Sequence, residues 1–466
     1  MNSDQRNTAH GGSPTPRGPF TRWEWILYGS ALLIIMAITE YGDLQLNSFV
    51  ANIAGMGHWN VYSYFGHTPS LRPIATVMPP VYYLTTGIYL GLLHLVHLDP
   101  VPAHPRFLYR YIFDVTRGWP VFWGLVLLKI PNLVALIVGT WALVRLGSRV
   151  NCSSRTLARL WLMSPIVIVE SFMQAQMDIM PATLTILALL AYERDKEWKM
   201  FAWLGIAAAF QIYPLLFVPP TALLLGNGNF GRAIKWGFIA AIPFLLSLVP
   251  FLGHDLITRV FLAKNGTSLF TSVRLGLIPI HLWLLIYAVI CYTAWRLGTR
   301  SVFKNLTLAV SFTWMSVCFS IFMFAYWLPQ WVVWVVPMAV LFAARDAKFL
   351  LWWTVENVLF LANNLLAYPR NLDGQLLAML FGHDVLWTYP QLVGPHGPTL
   401  IYTLLIAGFG ALIYQAFRIS QSSRDVAAPF LTLRWYMPPL FFYIAALCAQ
   451  QLLPLPPGLG SILTLH

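Results

Sequence analysis

The chain has 466 residues, 58% hydrophobic and 10% charged, with a mean hydropathy of +0.65 and a net charge of +12. A soluble globular domain carries roughly 25% charged residues, so that class is excluded. The many apolar runs of near-spanning length specify an all-α, polytopic transmembrane helical bundle, and their lack of alternation excludes a transmembrane β-barrel.

In this setting the positive charge reads as Arg-rich cytoplasmic loops against anionic lipid, not as a nucleic-acid footprint. A basic rim can equally hold a phosphate-bearing substrate. Cys152, Cys291, Cys318 and Cys448 lie at wide spacing in or beside apolar runs and read as small hydrophobes. No Walker, Rossmann, HExxH or Cys/His metal pattern is present, and Gly226-Asn227-Gly228-Asn229 reads as a turn.

Residues 1–22 form a Ser/Thr/Gly/Pro/Arg-rich N-terminus, expected to be disordered and cytoplasmic, with no cleavable signal peptide. The first span is expected from Trp25 to Thr39. Arg6, Arg17 and Arg22 precede it, which places Glu40 and Asp43 on the outer side. The run Val81 to Val96, with Gly87, Gly91 and His94, either spans or lies flat as an interfacial helix. The later loops arbitrate: Lys196, Lys199, Arg296, Arg300, Lys304, Arg345, Lys348, Arg418 and Arg424 fall inside only if it does not span. Leu44 to Gly118 is therefore expected to be one outer segment carrying interfacial helices.

Later spans are expected near 119–146, 156–171, 179–193, 234–252, 275–296, 305–323, 330–344, 349–367, 398–418 and 435–453. Ala202 to Leu225 is interrupted by Pro214 and Pro219-Pro220 and reads as two short helices meeting near Tyr213-Pro214. That makes about 13 crossings. The division is a core of residues 23–345 followed by additional helices in 346–466.

The chemistry is expected around Asp43, in Tyr41-Gly42-Asp43-Leu44-Gln45. A carboxylate at the outer end of a helix can act as general base on a bound hydroxyl, or it can simply cap the next helix. His58, Trp59, Asn60, Tyr62, Tyr64, His67 and Arg72 follow. Such side chains suit a sugar ring, and they suit an aromatic belt at the headgroup level equally well. Asp178, in the polar break Gln174-Ala175-Gln176-Met177-Asp178, is expected on the same side. Two acidic residues there can bind a divalent cation, magnesium or manganese, or divide base and orienting roles. Alternatively, Asp178 caps a helix before Pro181.

Arg72, Arg106, Arg110, Arg117, Lys264 and Arg274 are the cations expected on that face, where Arg suits phosphate. Lys129 lies within a span, and an intramembrane ionisable group is a functional candidate. Gln211 and Tyr213 stand at the tip of the broken helix, the kind of break that lines a cavity. Glu356, Asn357, Asn363 and Asn364 are read as interhelical hydrogen-bonding groups. Asn265-Gly266-Thr267 matches a glycosylation sequon.

Four segments together resemble membrane-embedded glycosyltransferases of the GT-C superfamily, the mannosyltransferases that use polyprenol-phosphate mannose. They are Asp43 followed by Trp59-Asn60-Val61-Tyr62; Met78-Pro79-Pro80-Val81-Tyr82-Tyr83; Gln176-Met177-Asp178; and Gln211-Ile212-Tyr213-Pro214 with Pro329-Gln330-Trp331-Val332-Val333-Trp334. The resemblance covers about residues 24–345. Gln211 stands where many relatives have Lys, and Leu328 where the pattern has His. The resemblance implies a hexosyltransferase moving a sugar, mannose foremost, from a polyprenyl-phosphate donor to a lipid, glycan or protein acceptor, with inversion and Asp43 as base. His58, Trp59, Tyr62, Arg72, Arg110, Arg117, Gln211, Tyr213, Lys264, Arg274 and Gln330 would hold substrate and donor phosphate. It implies a multi-pass protein of the plasma membrane in a bacterium, or of the ER membrane in a eukaryote, with the site on the extracytoplasmic face. A transporter or flippase of lipid-linked glycans and a non-catalytic GT-C-like subunit are the competing readings. A transporter would show internal repeats and facing midplane charges.

Overall fold

The computed structural model describes residues 20–39, 42–68, 78–98, 119–150, 152–194, 196–261, 273–275, 278–300, 302–303, 305–325, 328–367 and 396–421. The side chains at 42, 43, 45, 119–122, 261, 273–275, 278–280, 365–367 and 396–398 lie outside this set. In chain order the helices are α1 (Arg22–Ile38), α2 (Gly42–Gly55), α3 (Val61–His67), α4 (Pro80–Leu95), α5 (Trp119–Gly147), α6 (Ser154–Leu162) and α7 (Pro165–Ile168). They continue as α8 (Ile179–Tyr192), α9 (Glu197–Phe210), α10 (Val218–Gly226) and α11 (Phe230–Leu248), then α12 (Leu282–Thr299), α13 (Leu306–Phe324), α14 (Val336–Ala343), α15 (Ala347–Ala367) and α16 (His396–Gln421).

Among the described residues, five stretches are long and apolar enough to cross a membrane: Trp123–Gly147, Phe230–Phe251, Leu282–Thr299, Leu306–Phe324 and Thr399–Gln421. A sixth arises if the pair Ser154–Leu162 and Pro165–Met173, bent by 43°, counts as one span. The chain is thus a polytopic helical bundle. The run Val81 to Val96 falls in α4 and its C-cap, and α4 is not among these five. The last expected span, near 435–453, lies outside the described residues.

Proline accounts for two of the differences from the expected spans, and strand pairing for a third. The helices at the expected 25–39, 179–193 and 349–367 form but are not among the five. The run at 156–171 is bent because Pro165 starts a new helix, capped by Ser164 on the Val167 N–H at 3.4 Å. It then ends in a π-helical turn, Val169–Met173. The run at 330–344 is a 3₁₀ turn, Pro329–Trp334, followed by the eight-residue α14 with Pro337 in its first turn. The run at 275–296 starts late, because Val273–Leu275 pairs antiparallel with Ile278–Ile280 as β1 and β2. The break in 202–225 falls where Pro214 predicts it: α9 stops at Phe210, a 3₁₀ turn spans Tyr213–Phe217, and α10 follows.

Side-chain and backbone bonds tie the loops into two ends. At one end, Arg149 Nη1 donates to the Glu193 carbonyl at 3.1 Å, and Arg345 Nη1 to the Val150 carbonyl at 2.6 Å. Glu24 pairs with Arg159 at 3.1 Å and Glu197 with Arg232 at 2.6 Å. At the other end lie α2, α3 and α4. Glycines let α2 and α4 touch backbone to backbone: a Cβ on Gly87 would come 2.6 Å from the Ala51 carbonyl oxygen. This layer packs Phe49, Tyr62, Phe65 and Tyr83 with Ala208 of α9, Phe244 and Leu248 of α11, and Phe251 beyond it. A larger apolar core fills the bundle, built on Trp161, Trp314, Trp353, Phe172 and Phe201.

Candidate active site

The connection from α1 into α2 carries Asp43, and the backbone places this residue in the first turn of α2. Its side chain lies outside the described residues. Just before it, Lys129 of α5, fully buried, donates to the Met36 carbonyl and the Thr39 hydroxyl, each at 3.0 Å, and to the Thr39 carbonyl. These carbonyls end α1 and have no onward helical partner. Thr39 in turn donates to the Phe172 carbonyl at 3.1 Å. Lys129 therefore ties α1, α5 and the π turn together four residues before Asp43.

The Gln174–Asp178 segment is buried throughout. A buried loop must find partners for its backbone, and these are visible. The Gln176 N–H donates to the Glu170 carbonyl at 2.8 Å. Asn132 of α5 donates to the carbonyls of Ser171 at 2.7 Å and Gln176 at 3.1 Å. Thr86 of α4 reaches the Met177 sulfur at 3.6 Å. Ala175 holds φ at 54°, the left-handed region, which costs a non-glycine residue about 1–3 kcal/mol. Such strain persists only where the surroundings over-determine the backbone, as they do here.

Asp178 occupies the N-cap position of α8, yet its side chain makes no capping bond. Its Oδ1 accepts from the Trp334 indole N–H at 2.6 Å instead. Trp334 also stacks on Tyr213, with centroids 4.0 Å apart and planes at 9°. Three segments distant in sequence thus meet at one buried point. Gln330 is buried on the same 3₁₀ turn as Trp334. Gln211 is half-buried, and its amide reaches the Met78 sulfur at 3.8 Å.

The other expected residues divide. Tyr62 is buried, and its hydroxyl donates to the Met78 carbonyl at 2.6 Å, which orders the Pro79-Pro80 entry to α4. His58 and Trp59 are exposed at the turn between α2 and α3, with His58 against Tyr64 at 4.3 Å. Arg72, Arg106, Arg110, Arg117 and Lys264 lie outside the described residues. Arg274 lies on β1, its side chain outside them too. No group of three or more His, Cys, Asp or Glu that could hold a metal ion occurs among the described residues.

Two features escaped the sequence reading. Trp334 was visible only as part of a motif, and its bond to Asp178 needs the tertiary fold. Glu170 lies fully buried in the π turn, where Asn364 of α15 donates to it at 3.1 Å and Gln174 at 3.5 Å. A glutamate at the end of an apolar run was the available signal. Of the proposed interhelical polar groups, Asn364 does bridge helices, while Asn357 turns back to the Trp353 carbonyl of its own helix at 2.6 Å.

Residues 102–227 match the family model described as the N-terminal domain of alpha-(1->6)-mannopyranosyltransferases. That stretch contains Lys129, Asn132, the Gln174–Asp178 loop and the Gln211–Pro214 break, and the match agrees with the GT-C mannosyltransferase resemblance read from the motifs. No curated protein matches the chain. Among solved structures the chain is similar to ArnT from Cupriavidus metallidurans, bound to undecaprenyl phosphate, at 13% identity and a TM-score of 0.43. The similarity covers 92% of this chain and 78% of that one.

Proposed function

We propose that the protein is a membrane-embedded glycosyltransferase that moves mannose from a polyprenyl-phosphate donor to an acceptor hydroxyl, with inversion. The observation that carries this reading is a convergence inside and around the matched mannosyltransferase stretch. The start of α2, the strained Gln174–Asp178 loop, the Gln211–Pro214 break and the Pro329–Trp334 turn meet at one end of the bundle. Described Arg and Lys residues crowd the opposite end, among them Arg22, Arg145, Arg149, Arg155, Arg159, Arg194, Lys196 and Lys199. By the positive-inside rule that end is cytoplasmic, which makes the site extracytoplasmic.

In the reaction, the Asp43 carboxylate takes the proton from the acceptor hydroxyl as its oxygen attacks the anomeric carbon. The bond from that carbon to the phosphate oxygen breaks, and the polyprenyl phosphate departs with the electron pair. The leaving group is already an anion, so it needs electrostatic stabilisation rather than an acid. We assign that role to the cations of the outer segments, Arg72, Arg110, Arg117, Lys264 and Arg274. Asp178, held by Trp334, orients the buried loop. An apolar groove of about 270 Å³ between α12, α13 and α16, lined by Ile286, Ile290, Met323 and Phe324, supports the accommodation of an isoprenoid tail.

The test is transfer of label from polyprenyl-phosphate mannose to lipid or glycan in membranes carrying the chain. Transfer above membranes lacking it is expected. If no lipid-linked sugar of any kind serves as donor, the glycosyltransferase reading is wrong, and a transporter or non-catalytic subunit takes its place.

A further inference from the structure

At the end of the bundle opposite the candidate active site lies a cavity of about 730 Å³. It opens between the C-terminal ends of α5 and α8 and the starts of α9, α11 and α13. Its volume falls in the range of small-ligand sites. Three cations line it, Arg149, Arg232 and Lys235, with Trp198 and Trp236 as walls.

The two carboxylates in the cavity are already engaged. Glu197 binds Arg232 at 2.6 Å, and Glu193 accepts from the buried Thr307 hydroxyl. Arg232 is fixed by that pair and by lying 4.5 Å over the Trp236 ring, so the geometry of its guanidinium fork is set before any ligand arrives. Arg149 uses one nitrogen on the Glu193 carbonyl. Lys235 meets no carboxylate among the described residues. The cavity thus presents one more cation than carboxylate, and Arg149 and Lys235 are exposed.

One flank of α11 decides what kind of anion fits. Arg232, Lys235, Trp236 and Ile239 face the cavity. The neighbouring stripe, Phe230, Ile234, Phe238, Ile242 and Leu246, is exposed and wholly apolar. That stripe faces acyl chains when α11 spans. A molecule with a phosphate in the cavity can therefore lay hydrocarbon along the same helix.

We propose that this cavity binds the phosphate of an anionic membrane lipid at the basic end of the bundle, separate from the candidate active site. The phosphate takes Arg149 and Lys235, with the free edge of Arg232 behind them. The acyl chains follow the Phe230–Leu246 stripe. A soluble phosphate ester shares the headgroup chemistry but makes no use of the stripe.

The purified full chain in detergent is titrated with phosphatidylglycerol, phosphatidylcholine or glycerol 3-phosphate. Bound lipid is read by native mass spectrometry and thermal shift. Phosphatidylglycerol is expected to be retained at least about fivefold better than phosphatidylcholine, and glycerol 3-phosphate to give no comparable shift. Arg149→Gln with Lys235→Gln should remove that preference, and Lys235→Gln alone, at an exposed position, should remove part of it. Unfolding temperatures without added lipid should match the wild type, which separates lost binding from lost folding. Equal retention of phosphatidylglycerol by wild type and double variant would overturn the proposal. An equal shift with glycerol 3-phosphate would overturn the lipid source in favour of a soluble phosphate ester.

Discussion

The two ends of the bundle solve the problem of polar groups in opposite ways. At the site end they lie inside: Lys129, Asn132, Glu170 and Asp178 are buried, and each binds backbone or another buried side chain. At the basic end most charged groups, such as Arg145, Arg149, Arg232 and Lys235, are exposed; Arg159 and Arg345 are buried, on Glu24 and on the Val150 carbonyl, and two ion pairs there are only partly covered. Burying a charge costs several kcal/mol unless it is well paired, whereas an exposed pair contributes about 0–1 kcal/mol. The site end is therefore rigid and intolerant of change. The basic end is cheap to alter, and its charges are available to orientation and lipid.

That contrast can be broken most decisively at Lys129. Lys129→Met removes a buried ammonium and strands the Met36 and Thr39 carbonyls, so a loss of about 1–3 kcal/mol for each stranded acceptor is expected. Thermal unfolding in detergent reads it, and an unchanged unfolding temperature would mean that Lys129 does not hold the Asp43 connection. Next comes the α2–α4 contact. Gly87→Ala puts a Cβ against the Ala51 carbonyl and 2.9 Å from the Ala54 Cβ, an overpacking worth about 2 kcal/mol. Transfer should fall with it, because α2 carries Asp43; wild-type stability and turnover together would deny the close approach.

An effect of similar size is expected at Trp334→Phe. The ring stacking on Tyr213 is largely kept, but Asp178 loses the indole N–H, a net contribution of about 1.5–3 kcal/mol for a hydrogen bond to a charged group. If Asp178 only orients its loop, the maximal rate should drop with little change in KM for the donor.

The smallest effect belongs to the basic end. The Thr21 backbone N–H at 2.7 Å, helped by Arg159, holds the Glu24 carboxyl below its ordinary range. A lowered folded-state pKa contributes stability above the unfolded value and loses it as pH falls through the folded value. Glu24→Gln should cost only about 0.2–1 kcal/mol near neutral pH, and the difference from wild type should vanish in acid. A difference that grew in acid would reverse the sign.

How much of this was legible in the sequence follows from the same contrast. Arg clusters are written locally, so the expectation that Leu44 to Gly118 forms one outer segment rests on charge. Of that stretch the described parts, α2, α3 and α4, pack together in one layer away from Arg149 and Arg345, and residues 69–77 and 99–118 lie outside the described residues. Breaks at Pro214 were legible because proline removes a backbone donor wherever it sits. The bend at Pro165 and the short α14 with Pro337 in its first turn were legible by the same rule but were hidden inside apolar runs. Asp178 reads in sequence either as a second carboxylate of the site or as a cap; it stands at the N-cap position, without a side-chain capping bond. Its bond to Trp334, 156 residues away, is a tertiary fact that no local pattern carries. Tyr62 reads as a sugar-facing aromatic in sequence, yet its hydroxyl is committed to Met78. Burial is what separates the two readings, and a single sequence does not print it.

The central claim is that Asp43, at the start of α2, is the base for sugar transfer. Its most direct test is transfer from labelled polyprenyl-phosphate mannose by wild type and Asp43→Asn at matched expression and matched unfolding temperature. The account predicts a loss of about 10²–10⁴-fold in rate, the contribution of a positioned general base, with donor binding retained. Unchanged transfer by Asp43→Asn would contradict it.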